Sequence, residues 1–275
     1  MSRTILTQVL SDLAAESQQL DSWVAGLTAA GWQTVTTPEG WTVAHQIGHL
    51  HWTDLASLAA ITDPDEFGRN MLAAASDPGG FVDQGAGTMA KLPAPELLAG
   101  WRAGRVALDA ALRDVPDGDK VPWYGPPMSP TSMATARIME TWAHGHDVAE
   151  ALGLQIPRTS RVKHVCHLGV RTRGFAYAVR GEQVPDGGEV RVELTGPDGD
   201  LWTWGPEDAA ERVTGSGYGF ALLATRRRHP DDVDVHAVGD TAAHWLTIVQ
   251  AFAGMPGNEP RPLAERITDQ AMVTD

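Results

Sequence analysis

The spacing of apolar residues changes character near Pro157, and this change limits the fold more than any other feature of the chain. In the first thirty residues Ile5, Val9, Leu10, Leu13, Leu20, Val24 and Leu27 fall three and four apart, the signature of an amphipathic helix, and Gly31 ends it. A second helix is expected from near Trp41, after the Pro38–Gly40 turn, to about Ile61, where Asp63-Pro64 stops it. A third should run from about Pro95 to Leu112 and a fourth from about Ser132 to Leu152, closed by Gly153 and Pro157. Four such helices can bury their apolar faces only against one another, which predicts a bundle. The Gly- and Asp-rich stretch from Pro64 to Pro93 reads as one short helix around Phe67 to Ala75 within a long connection, a candidate lid.

Beyond Pro157 a helix-like run from Arg161 to Val179 leads into Glu189–Leu194, where Val190, Val192 and Leu194 alternate as in a strand. The turn Gly196-Pro197-Asp198-Gly199 joins it to a second strand at Leu201–Trp204. Further strands are expected at Glu211–Thr214 and Asp234–Val238, with helices at Tyr218–Arg228 and Asp240–Ala253. The predicted fold class is therefore α+β: a four-helix bundle over residues 1–157, a smaller α+β domain over 158–258, and a tail over 259–275.

Composition narrows the function. With 43% hydrophobic residues in 275, the chain can build a core without cross-links, and its single cysteine, Cys166, excludes an intramolecular disulfide and fits a reducing, cytoplasmic setting. No stretch has the length and apolarity of a signal peptide or a membrane span, so no membrane partner is expected. Thirty-five acids against 21 bases give a net charge of −14, which repels nucleic acid. A small-molecule substrate is the remaining expectation. The basic run Arg226, Arg227, Arg228 with His229 is the local exception, either a clamp for a substrate carboxylate or a solvated helix end favoured by the macrodipole.

Two helices carry side chains that can do chemistry. His45 and His49 lie four apart in the second, in a stripe continued by Trp52 and set apart from the apolar face of Val43, Ile47, Leu50, Leu58 and Ile61. Glu140 and His144 repeat that spacing in the fourth, with Asp147 about one turn on, while Ile138, Trp142, Ala149 and Leu152 take the opposite side. Inward-facing carboxylate and imidazole groups are how bundles build metal sites, and three such ligands leave a fourth position open. Spacing alone fits a solvated helix face as well. His51 and His146 sit two residues from these candidates, so they point roughly 200° away and drop out. His45 is open to three roles: a fourth ligand, a group behind the ligands, or a general base. Asp147 is placed to orient a ligand histidine. Cys166 has no orienting partner in sequence, and Gly215-Ser-Gly217-Tyr-Gly219 lacks the Lys and Ser/Thr of a phosphate loop and reads as a turn into a helix.

The segment Trp41-Thr-Val-Ala-His45-Gln-Ile-Gly-His49-Leu50, with Met139-Glu140-Thr-Trp-Ala-His144-Gly-His-Asp147 and the following Ala151-Leu-Gly153, resembles the two signatures of the DinB-like metal-dependent family. The resemblance is to the branch of the mycothiol-dependent maleylpyruvate isomerases. It implies that His49, Glu140 and His144 hold a divalent metal, commonly zinc. Gly215 to Gly219, Leu222-Leu223, Arg226 to Arg228, Val238-Gly239-Asp240 and the stretch from Ala251 to Gly254 look like that family's C-terminal domain. The segment from Pro64 to Pro93 and the arginine run depart toward an uncharacterised actinobacterial-type branch. The implied chemistry is a low-molecular-weight thiol, mycothiol, that loses its proton at the open metal position and attacks a small electrophile, by S-transfer or by reversible addition for cis–trans isomerisation. Its rivals are metal-bound water or a Lewis-acid metal acting with His45 as base, and a non-catalytic metal- or ligand-binding module.

Overall fold

A computed structural model describes residues 2–255, 257 and 259–265. The chain divides between Ile156 and Pro157 into two compact units. Of the expected second domain, residues 256 and 258 lie outside the described ones, as do residues 266–275 of the expected tail.

The first unit holds α1 (Ser2–Val24), α2 (Ala29–Trp32), α3 (Val43–Thr62), α4 (Pro64–Ser76), α5 (Phe81–Ala90), α6 (Ala94–Asp114) and α7 (Pro130–Ala151). The four long helices α1, α3, α6 and α7 are the expected bundle; α3 packs on α5, α6 and α7, and α1 on α7. Side-chain caps set several starts. Asp63 accepts from Glu66 N with Pro64 at the first helical position of α4, and Ser129 accepts from Ser132 N ahead of Pro130 in α7. Two apolar cores result. One joins Leu6, Val9 and Leu10 to Leu108, Leu112, Met133 and Ile138, the other Val43, Ile47 and Leu50 to Leu20, Leu97 and Trp101.

The segment 64–93 holds two helices where composition suggested one. Asp77 holds the corner between α4 and α5, its Oδ1 accepting from Gly80 N and its Oδ2 from Gln84 Nε2. Two glycines at the crossing, Gly48 of α3 and Gly85 of α5, allow α5 to lie against α3. A Cβ on Gly48 would stand 2.8 Å from the Ala86 carbonyl oxygen, and one on Gly85 would stand 2.5 Å from the Trp52 ring. Helical pattern was diluted there because close crossing demands residues with no side chain.

The second unit holds α8 (Val162–Arg171), α9 (Arg173–Ala178), β1 (Val190–Thr195), β2 (Leu201–Trp204), β3 (Glu211–Ser216), α10 (Gly217–Ala224), β4 (Val235–Val238) and α11 (Asp240–Ile248). The sheet order is β2-β1-β3-β4. β1 runs antiparallel to β2 with Leu194 opposite Trp202, and parallel to β3 with Val192 opposite Val213. Val192, Leu194 and Val213 are fully buried, so the alternation read from sequence marks the covered face. The run from Arg161 to Val179 is broken at Thr172, whose hydroxyl donates to the Gln250 carbonyl at 2.5 Å. No helix among the described residues is long and apolar enough to cross a membrane.

Gly48→Ala sets helix propensity, worth about 1 kcal/mol in favour of Ala, against overpacking, which costs about 1–3 kcal/mol. Because the obstructing atom is backbone of a packed helix, overpacking should win. Urea unfolding should show a lower midpoint, whereas Gly87→Ala, where the added Cβ meets nothing within 4 Å, should not.

Candidate metal centre

Helices α3 and α7 meet at one carboxylate oxygen. His49 Nε2 and His144 Nε2 each lie 3.2 Å from Glu140 Oε2, and the two imidazole centroids are 4.4 Å apart. The three ligand atoms lie within 4.8 Å of one another. Two ligands held tetrahedrally at about 2.0–2.1 Å from a zinc ion stand about 3.3 Å apart, so the two 3.2 Å separations from Glu140 Oε2 suit one shared cation. The donor chemistry suits it as well, with two borderline imidazole nitrogens and one hard oxygen. The histidines are buried, whereas the Glu140 side chain keeps 21% exposure, so the cluster is reached from the glutamate side. Burial pushes the Glu140 carboxyl up, but hydrogen bonds from His144 and His49 outweigh it and hold the group well below the usual carboxylate range.

Aromatic side chains enclose the cluster. Trp41, just ahead of α3, stacks on His144 with centroids 5.8 Å apart and an interplanar angle of 16°, and stands 5.6 Å from His49. Its indole donates to Asp83 Oδ1 of α5 at 2.9 Å. Trp52 lies 6.1 Å from His49 and meets Phe81 edge-on at 4.9 Å. The segment expected as a lid thus supplies two side chains, Phe81 and Asp83, that hold the walls of the site.

One turn from the ligands a buried ion pair ties the same two helices. Arg137 Nε donates to Asp54 Oδ1 at 2.9 Å and its Nη2 to the Thr53 hydroxyl at 2.6 Å; that hydroxyl in turn donates to the His49 carbonyl at 2.8 Å. On the other side of the cluster Gln46 Oε1 sits 2.5 Å from His144 Nδ1.

The remaining residues singled out from sequence fall as follows. His45 takes the N3 position of α3, its Nδ1 accepting from Thr42 N at 3.3 Å and lying 2.9 Å from the Thr42 hydroxyl; it is not one of the three clustered donors. Asp147 Oδ2 lies 4.0 Å from His144 Nδ1, farther than Gln46. His51 turns to α6, packed beside Gly100 and Gly104, and His146 turns to Glu150 and Trp142. In the second unit Arg226 follows the end of α10 with φ of 60° and donates from Nη1 to Thr247 O, while Arg227 and Arg228 donate to the carbonyls of Thr225 and Arg227. Arg226 and Arg228 line a cavity of about 300 Å³ with Leu223, Leu246 and Glu259. The Gly215–Gly219 segment is the turn into α10, where Ser216 Oγ accepts from Gly219 N. Cys166 is buried, donates to Gly217 O, and has its thiol pushed up by burial.

Sequence reasoning missed Gln46, Trp41, Asp83 and the Arg137–Asp54 pair. A signal existed for Gln46: it sits three residues after Val43 and four before Leu50, inside an apolar stripe where an amide needs a partner. Arg137 and Asp54 carry no such mark.

Residues 13–149 match the family described as the mycothiol maleylpyruvate isomerase N-terminal domain, and residues 186–238 match one described as wyosine base formation. Two uncharacterised proteins of Mycobacterium tuberculosis, from strains CDC 1551 / Oshkosh and ATCC 25618 / H37Rv, are each 54% identical over 248 residues, covering 90% of this chain and 96% of theirs. Two crystal structures of the mycothiol-dependent maleylpyruvate isomerase, one of a mutant, share the fold with TM-scores of 0.56 and 0.55 at 16% and 17% identity, over 84% of this chain and 92% of theirs.

Two outcomes follow from this geometry. Asp54→Ala leaves the Arg137 guanidinium buried without its carboxylate and should cost about 3–5 kcal/mol in chemical unfolding. Cys166 should resist a disulfide reagent in the native protein at neutral pH and react stoichiometrically once urea unfolds it.

Proposed function

The chain belongs to the family of the mycothiol maleylpyruvate isomerase N-terminal domain, and from that membership we propose that it is a metal-dependent enzyme acting with a low-molecular-weight thiol, mycothiol, on a small electrophilic substrate. The observation that carries this reading is the convergence of His49 Nε2 and His144 Nε2 on one oxygen of a part-exposed Glu140. A divalent cation held by these three residues, which we take to be zinc, supplies the positive charge that keeps a thiol ionised at neutral pH.

The protein's own residues do the rest. Burial of the two histidines fixes their rings, so the donor atoms are in place before anything binds. Trp41 and Trp52 wall the histidines and keep water from their faces, and Asp83 holds the Trp41 indole in position. The open side, at Glu140, is where thiol and substrate approach. The nucleophile comes from outside the chain, because its one thiol is buried and bonded to a backbone carbonyl. The thiolate's electron pair forms a C–S bond at the electrophilic carbon. The π pair of the attacked double bond moves to its conjugated carbonyl oxygen; in a transfer the adduct takes up a proton and the C–S bond stays, whereas in an isomerisation rotation about the former double bond is followed by return of the π pair, and the C–S bond breaks with its electrons going back to sulfur. With Nδ1 of His45 held at the helix start, its Nε2 is the ring nitrogen left for proton transfer. A cytoplasmic location, where such thiols stay reduced, agrees with the lone buried cysteine.

Cobalt-substituted protein titrated with mycothiol tests the reading. Stoichiometric thiol binding should bring a new sulfur-to-cobalt charge-transfer band, and His144→Ala should lose both the cobalt and the band. An unchanged spectrum at saturating mycothiol would remove the thiol from the mechanism.

A further inference from the structure

The hydrogen bonds behind His144 run in one direction, and that direction starts from a group whose role cannot change. The Trp41 carbonyl can only accept, and the Thr36 hydroxyl donates its single proton to it at 3.1 Å. The hydroxyl oxygen is then an acceptor, and Gln46 Nε2 donates to it at 2.8 Å. This orients the Gln46 amide: its NH2 faces Thr36, and its carbonyl oxygen faces His144 Nδ1 at 2.5 Å. A carbonyl cannot donate, so the proton of that contact belongs to Nδ1. Gln46 at 0%, Thr36 at 5% and His144 at 8% exposure are buried, so the amide is shielded from water.

We infer that Gln46 is a positioning residue that holds a proton on His144 Nδ1, so that when a cation displaces the Nε2 hydrogen bond to Glu140 the Nε2 lone pair is directed at that cation. The inference rests on the metal-binding reading for its purpose, though not for its geometry. A neutral histidine side chain in water places its proton mainly on Nε2, the tautomer that cannot bind a metal there, and the Gln46 acceptor works against that preference. His49 has no matching device: among the described residues its buried Nδ1 has no hydrogen-bond partner. The two histidines are therefore unequal, with His144 held by burial and a hydrogen bond at Nδ1 and His49 held by burial without one. Groups behind metal-bound histidines commonly change affinity by about 10–100-fold.

The test compares wild type with Gln46→Met, which keeps the volume and removes the acceptor, and Gln46→Glu, which keeps an acceptor. Folding is checked by circular dichroism, and Thr36→Val, which removes the anchor of the amide, replaces Gln46→Met should that variant unfold. In metal-free protein at about pH 9, above the ordinary imidazole range, long-range 15N NMR should show a higher proton occupancy on His144 Nδ1 in wild type than in Gln46→Met. Zinc affinity by chelator competition should fall about 10–100-fold in Gln46→Met and recover to within about threefold in Gln46→Glu. Wild-type affinity in Gln46→Met, or lost affinity with an unchanged tautomer, overturns the inference. Should wild type bind no zinc, the metal reading fails while the NMR comparison still decides the role of Gln46.

Discussion

The first unit is organised around a carboxylate lodged between two imidazoles at the seam of α3 and α7. Glu140 is only partly exposed, and ionised groups are costly to remove from water unless partners replace it. His49 and His144 are those partners, and they hold the carboxyl charged. An arrangement of this kind needs two helices locked in rotation and in register, because a slide of one residue along α7 would turn Glu140 away by about 100°. The Arg137–Asp54 pair supplies the lock. Its two charges face each other across the same seam, and their mutual dependence penalises any sliding that would part them.

That lock also explains how the site can be rigid yet polar. The cores to either side are apolar, built from Leu10, Leu112 and Ile138 on one hand and Ile47, Leu50 and Trp101 on the other. Between them runs a band of buried polar groups: Gln46, Thr53, Asp54, Arg137, His144 and Asp147. Such a band is tolerable only when its members pair, and the chains ending at the Trp41 and His49 carbonyls show how far that pairing extends.

The four long helices were legible because each keeps an apolar stripe long enough to set its period; spacing put each of the pairs His45/His49 and Glu140/His144 on one face, and only the family resemblance singled out His49, Glu140 and His144. Strands β1 and β2 were legible from alternation and from the Gly-Pro-Asp-Gly turn between them. Helices α4 and α5 were only half legible. Gly85 and Gly87 suppress the helical signal in α5, and Gly85 lies where α5 packs on the Trp52 ring of α3. The groups around the ligands escaped for another reason. Periodicity tells which residues share a face of one helix, but the pairings Arg137 to Asp54, His144 to Gln46 and Trp41 to Asp83 each span more than forty positions or join different helices. Nothing local encodes them.

The second unit shows the converse, with reactive residue types put to structural use. Cys166 fills a core position and donates to Gly217 O; Ser216 caps α10; Arg227 and Arg228 donate to carbonyls at the end of the same helix. A helix end also favours positive charge, by about 0.3–1 kcal/mol per residue. The sealing of Cys166 bears on chemistry in the first unit. A site made only of nitrogen and oxygen donors, in a chain whose one sulfhydryl is shut in a core, has no nucleophilic sulfur of its own. A sulfur nucleophile at such a site would have to come from outside the chain, and the part-exposed Glu140 side chain is the edge at which the cluster meets solvent.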